Sequence, residues 1–191
     1  MLGASGWAPP GIDAEAWRTA LVEDVLDVLA LMAEVDAALA VAHEDEGLLR
    51  QLGWPGLCRY VLPTLDVVTV LDAAAKDGYE QAALLASDAP DVPGMVIAKL
   101  LRPLTSRPVA AAPATGADGL IGLGARLPPP GWLPPVPLEE LSPQALRTFA
   151  PTVTDVAPAS GWHRLRGPAD LARLDPRLEG WDATRALLSG R

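Results

Sequence analysis

The chain has 191 residues, half of them hydrophobic and a fifth charged, with a formal net charge of −9. That composition excludes a disordered chain, and the acidic balance excludes a general nucleic-acid binder, which would carry a basic face. The length suits one α/β domain spanning residues 1–191 with a substantial core, whereas two domains would be cramped.

Charge is unevenly spread: residues 1–90 hold 15 acids and 4 bases, while residues 145–191 hold 5 acids and 7 arginines. The basic tail suits an anionic ligand, or is simply a solvated face. Cys58 is the only cysteine, and His43 and His163 lie far apart without metal-ligand spacing, so neither a disulfide nor a zinc site is expected. No secretory signal is visible, and Glu23, Asp24, Asp27, Glu34 and Asp36 interrupt the longest apolar region. The expectation is a cytoplasmic protein with no membrane association.

In chain order, residues 1–12 are an irregular lead-in. Asp13 is a plausible N-cap, and Trp17, Leu21, Val25, Val28, Leu29 and Met32 recur at helical spacing, with Arg18, Glu23, Asp24 and Asp27 on the other face. A buried strand follows over residues 37–42 and a loop over residues 43–46. A short helix is expected over residues 46–52, ended by Gly53-Trp54-Pro55-Gly56, then a strand over residues 59–62 and a helix over residues 65–76.

Ala82 to Ala86 is apolar without alternation, as in a strand covered on both faces. Pro90 cannot donate to a ladder, so that strand should stop near Asp88. In an open α/β sheet, ligands bind outside the carboxyl ends of strands, which places Asp88 where charge meets ligand. The plain alternative is that Asp88 and Asp91 cap the next helix, expected over residues 92–101. A strand over residues 108–112, a turn over residues 115–119 and a strand over residues 120–123 come next. Residues 127–137 hold six prolines and Trp132 and read as a stiff loop. Ser142 caps a helix with Pro143 at its first position, running to Phe149. A strand over residues 153–156 and helices over residues 168–174 and 181–188 complete the chain. Strands alternating with helices imply a mostly parallel sheet.

The run Ser87-Asp88-Ala89-Pro90-Asp91-Val92-Pro93, then Val109-Ala110-Ala111-Ala112-Pro113-Ala114, then Gly116-Ala117-Asp118-Gly119-Leu120-Ile121-Gly122-Leu123, then a Pro/Trp segment and Arg166-Gly167-Pro168-Ala169-Asp170-Leu171-Ala172-Arg173-Leu174, resembles one family. It is similar to the small bacterial transferases of the GT-A fold, the nucleotide-diphospho-sugar transferase superfamily. Its more distant relations include phospholactate and molybdenum-cofactor guanylyltransferases. The likeness covers residues 10–180. It implies a three-layer, GT-A/Rossmann-like, mostly parallel sheet flanked by helices. It also implies a nucleotidyl- or glycosyltransferase acting on a nucleotide-activated donor, with a nucleotide or nucleotide-sugar as ligand. By the same resemblance Asp88 would hold Mg2+ or Mn2+ on the phosphates, and Asp118 and Gly119 would match an Asp-Gly-Gly-aromatic turn at the substrate. Asp91, Gly116, Arg164 and Arg166 would shape the phosphate site around them.

Three departures set this chain apart. No Lys or Arg precedes Arg18, so the family's opening strand and basic nucleotide loop are missing. The acidic stretch expected before the Ala169-Asp170-Leu171 turn is Arg164-Leu165-Arg166-Gly167-Pro168, and the aromatic after Gly119 is Leu120. Arg164 or Arg166 could neutralise phosphate directly as a metal-independent variant, since guanidinium pairs with phosphate bidentately. Equally, they could pair with Asp88 in an inactive GT-A-like binding or scaffold protein. The missing strand implies that residues 2–8 pair incompletely, that the native chain starts upstream of Met1, or that a homodimer or strand-donating partner completes the sheet. Trp54, Trp132 and Trp162 could stack on a base or sugar, though core packing is the commoner use of tryptophan.

Overall fold

The computed structural model describes residues 6–47, 52, 54 and 56–190. Helix α1 runs Ala14–Ala30, and the Asp13 carboxylate accepts from the backbone N–H groups of Glu15 and Ala16, as its position before the apolar stripe predicts. Strand β1 (Ala38–Ala42) pairs in parallel with β2 (Cys58–Leu62). Helix α2 (Val67–Lys76) is capped by Asp66, whose side chain accepts from Thr69 N–H. Strand β3 (Gln81–Leu85), helix α3 (Gly94–Leu101), β4 (Val109–Pro113) and β5 (Leu120–Arg126) follow. Helix α4 (Pro143–Phe149), β6 (Val156–Pro158) and helix α5 (Asp182–Leu188) complete the described elements.

Among the described residues the strands form two sheets, β1-β2 and β3-β5-β4-β6. Strand β5 runs antiparallel to both β3 and β4, while β4 and β6 run parallel. Both faces of the sheets are covered. Val67, Val70 and Leu71 of α2 pack with Leu84, Leu123 and Val156, joined by Leu133, Leu138 and Leu146 from the proline-rich segment and α4. On the opposite face, Val96, Ile97 and Leu100 of α3 pack with Leu85, Ala110 and Ile121, with Leu29 of α1 against them. Val22 and Leu26 of α1 cover Leu39 and Val41 of β1. The fold class is therefore the three-layer α/β arrangement expected, with β5 reversed.

Several boundaries differ from the expectation for physical reasons. Residues 153–155 form a 3-10 turn, in which Thr152 and Asp155 cap one another, so the last strand begins only at Val156. Residues 168–173 are a 3-10 helix, not an α-helix. Asp24, placed on a polar face by periodicity, is fully buried because α5 docks its amino end there. Residues 6–8 carry no strand, and residues 2–5 of the weak strand expected there lie outside the described residues. Most of the short helix expected over residues 46–52 also lies outside them.

Candidate functional site

The carboxyl ends of β1, β2 and β3 open onto one cavity of about 500 Å³, lined by Ala42, Pro63, Thr64, Asp88, Glu139 and Arg166 among others. Asp88 reaches it because β3 ends at Leu85 and the chain turns, with Val92 N–H bonding to Ala89 carbonyl at 3.1 Å. Neither Asp88 nor Asp91 caps the following helix, whose N-cap is Pro93 with no side-chain hydrogen bond.

Residues 162–166 reach the same place from the far end of the chain. Thr115 N–H donates to Trp162 carbonyl at 2.8 Å, and Leu165 N–H donates to Asp88 carbonyl at 2.7 Å, so this segment is laced across the ends of β4 and β3. Gly161 makes the close approach possible, since a Cβ there would stand 2.5 Å from Pro113 carbonyl oxygen.

The two arginines of this segment do different things. Arg164 is 3% exposed and fully engaged. Its Nε donates to Asp88 Oδ1, its Nη1 to Leu120 carbonyl at 3.1 Å and its Nη2 to Glu139 Oε1 at 2.7 Å. Burial disfavours the charge on Arg164, but Asp88 and Glu139 outweigh it and raise its pKa further. Glu139 answers in kind: burial pushes its pKa up, and the charge and hydrogen bond of Arg164 more than offset this, leaving it lowered. Arg166 is looser. Its Nε lies 3.5 Å from Asp88 Oδ2, its Nη2 3.5 Å from Glu139 Oε1, and its Nη1 donates to Asp118 carbonyl at 3.4 Å. Its Nη2 makes no hydrogen bond to any described residue. Its backbone N–H is held by Asp170 Oδ2 at 3.0 Å.

The expected site residues separate into two groups. Asp88, Arg164 and Arg166 meet at the cavity. Asp91 turns away: its Oδ1 accepts from Trp162 Nε1 at 3.0 Å and lies 3.1 Å from His163 Nε2. Trp162 also stacks on His163 with ring centroids 5.2 Å apart, so it anchors the 162–166 segment. The Asp118 side chain is on an exposed turn, and only its carbonyl meets Arg166. Gly119 is required there, with φ +95° and Glu139 backbone 2.9 Å from where a Cβ would sit. Gly116 shares that turn, with φ +75° and the Arg173 guanidinium packed against it. Trp132 and Trp54 pack against the hydrophobic core. Glu139 was not foreseen. It follows the proline-rich segment with no local signal, and only the tertiary fold brings it to Arg164.

The resemblance implies a divalent ion at Asp88, and the residues present do not fit one. A divalent ion needs several oxygen ligands. Here one oxygen of Asp88 is bonded to Arg164 and the other faces Arg166, and no group of three or more His, Cys, Asp or Glu side chains suited to a metal occurs among the described residues. Two guanidinium groups face the Asp88 oxygens that such a cation would need.

No protein-family model matches the sequence, and no curated protein matches it either. Solved structures do match in shape. One is a putative nucleotide-diphospho-sugar transferase from Desulfovibrio desulfuricans G20, with TM-score 0.63, 19% identity and coverage of 93% of this chain and 85% of that one. A second is the 4-diphosphocytidyl-2C-methyl-D-erythritol synthase of Anaerococcus prevotii DSM 20548, with TM-score 0.58, 11% identity and coverage of 88% and 86%. A third, at TM-score 0.54, 14% identity and coverage of 90% and 84%, is a homologue of Mycobacterium tuberculosis rv0371c from Mycobacterium sp. strain JC1. With its covered α/β sheets and a cavity at the strand ends, this chain shares the GT-A-like α/β fold of these solved structures.

Proposed function

We propose that this chain is a divergent nucleotidyl- or glycosyltransferase-like protein that binds a nucleotide or nucleotide-sugar without a metal, its phosphates meeting Arg166. The observation that carries this reading is the state of the two arginines. Arg164 is spent on Asp88, Glu139 and Leu120 carbonyl, whereas Arg166 is held only at 3.4–3.5 Å on the cavity wall. A guanidinium so placed can turn onto a phosphate while Arg164 keeps Asp88 neutralised. The similar structures named as a putative nucleotide-diphospho-sugar transferase and a 4-diphosphocytidyl-2C-methyl-D-erythritol synthase favour a nucleotide-activated ligand.

A second reading, an inactive binding or scaffold protein, is favoured by the engagement of both Asp88 oxygens with arginine, since group transfer from a diphosphate is commonly assisted by a metal held on carboxylates. Titration with nucleoside diphosphates and nucleotide-sugars, once with EDTA and once with Mg2+ or Mn2+, tests the proposal. Binding that persists in EDTA and weakens at least about tenfold in Arg166→Ala supports it; tenfold corresponds to roughly 1.4 kcal/mol. Binding that requires metal, or none to any nucleotide, would overturn it. Turnover of a bound donor separates the transferase from the scaffold.

A further inference from the structure

Arg166 is held in place by residues that follow it in the chain. Pro168–Arg173 is a 3-10 helix, and at three residues per turn positions i and i+3 stand one above the other. Asp170 and Arg173 are such a pair, with Arg173 Nε 3.8 Å from Asp170 Oδ1. The other oxygen of Asp170, Oδ2, accepts from Arg166 backbone N–H at 3.0 Å. A carboxylate that only started this helix would reach back to the N–H of the N-cap, as in a capping box. The N-cap here is Gly167, and Asp170 reaches one residue further back, to Arg166.

Arg173 carries the connection to a distant part of the chain. Its Nη1 donates to Thr115 carbonyl at 2.6 Å. Gly116, with φ +75°, leaves room for it, since a Cβ there would stand 2.4 Å from Arg173 Nη2. The same turn leads back to Arg166, whose Nη1 donates to Asp118 carbonyl at 3.4 Å. The contacts close a ring that runs from the Arg166 backbone through Asp170, Arg173 and residues 115–118 to the Arg166 guanidinium. Its ion pair is long, with side chains 21% exposed at Asp170 and 39% at Arg173, so it adds little to stability. What the ring fixes is position: the backbone from which Arg166 extends and the surface on which its side chain rests.

Given the reading of Arg166 as the phosphate contact, we propose that Asp170 and Arg173 are positioning residues for it. An arginine on a free loop would lose backbone as well as side-chain freedom on meeting phosphate, and that ordering weakens binding. In the ring only the guanidinium has to turn. Asp170 and Arg173 are not among the residues that line the cavity, so each acts through Arg166.

The test measures the affinity of guanosine and uridine diphosphates for the full chain in EDTA, as a double-mutant cycle with Arg166. Asp170→Ala and Arg173→Ala should each weaken binding by about three- to tenfold. Neither should weaken it further when Arg166 is already alanine, because contacts that act through one side chain are not additive. Asp170→Asn keeps an oxygen for Arg166 N–H, and Arg173→Lys keeps a donor for Thr115 carbonyl, so both should bind within about twofold of the unmodified chain. The Arg166 amide should exchange hydrogen at least about tenfold faster in Asp170→Ala. Equal losses with and without the Arg166 side chain would overturn the proposal, because the two residues would then touch the ligand themselves or act through the fold at large. Weaker binding in Arg166→Ala beside unchanged binding in the other two alanine variants would remove this proposal and leave the phosphate contact standing. Unchanged binding in Arg166→Ala would remove both.

Discussion

At the residue scale, the site turns on how differently two neighbouring arginines are used. Arg164, Asp88 and Glu139 form a network, buried at Arg164 and Asp88 and half-buried at Glu139, whose members each neutralise another. Removing one member leaves its partner charged and buried, which typically costs about 3–5 kcal/mol. Asp88→Ala should therefore lower stability by about that amount in urea denaturation. Replacing Asp88 and Arg164 together with leucine and methionine should cost much less, because the one charge left without its partner, Glu139, is a third exposed to water. Arg166→Ala should barely move the denaturation midpoint, since its contacts are long and its side chain is 31% exposed. Gly119→Ala should cost about 1–3 kcal/mol, because φ is positive there and Glu139 backbone already occupies the space. Asp88 was legible in the sequence because a strand, a proline and a carboxylate stand in order. The Glu139 partnership was not, since 51 positions separate it from Asp88 and no spacing rule spans that gap.

At the element scale, the docking of α5 on α1 is the most informative contact. Asp24 Oδ1 and Oδ2 accept from Ala183 and Thr184 N–H, each at 2.9 Å, so a fully buried carboxylate closes the amino end of α5. Burial nonetheless pushes the Asp24 pKa from 3.8 up to about 6, against the hydrogen bonds from Thr184 and Ala183 that lower it. The folded chain thus binds this proton more tightly than the unfolded chain. Stability from this group is complete below about pH 4 and is lost as pH rises to about 6, by on the order of 1–3 kcal/mol. Chemical denaturation between those pH values should show the decline, and Asp24→Asn should remove it. Glu139 acts with the opposite sign. Its lowered pKa contributes stability that is present above about pH 4.5 and fades as pH falls further. Helix α4 was readable to the residue from Ser142 and Pro143. The burial of Asp24 was hidden, because periodicity along α1 reports the face turned to the sheets, whereas this helix also packs against α5.

At the scale of the whole molecule, the sequence foretold layers better than directions. Apolar runs without alternation announced strands covered on both faces, and the clusters on either side of the sheets bear this out. The reversal of β5 was illegible, because a strand's apolar content does not record which way it runs; the tight turn at residues 114–119, where Ala114 N–H bonds to Gly119 carbonyl at 3.0 Å, sends it back beside β4. The central claim concerns the cavity where these sheets end: Asp88 is held by arginine, and the proposal leaves Arg166 to meet phosphate. A crystal structure of the chain with a nucleoside diphosphate in EDTA tests it most directly. The account predicts phosphate oxygens within hydrogen-bond distance of the Arg166 guanidinium and Arg164 still bonded to Asp88. A diphosphate that binds only with Mg2+ or Mn2+, the ion seated on Asp88 and both arginines displaced, would contradict it.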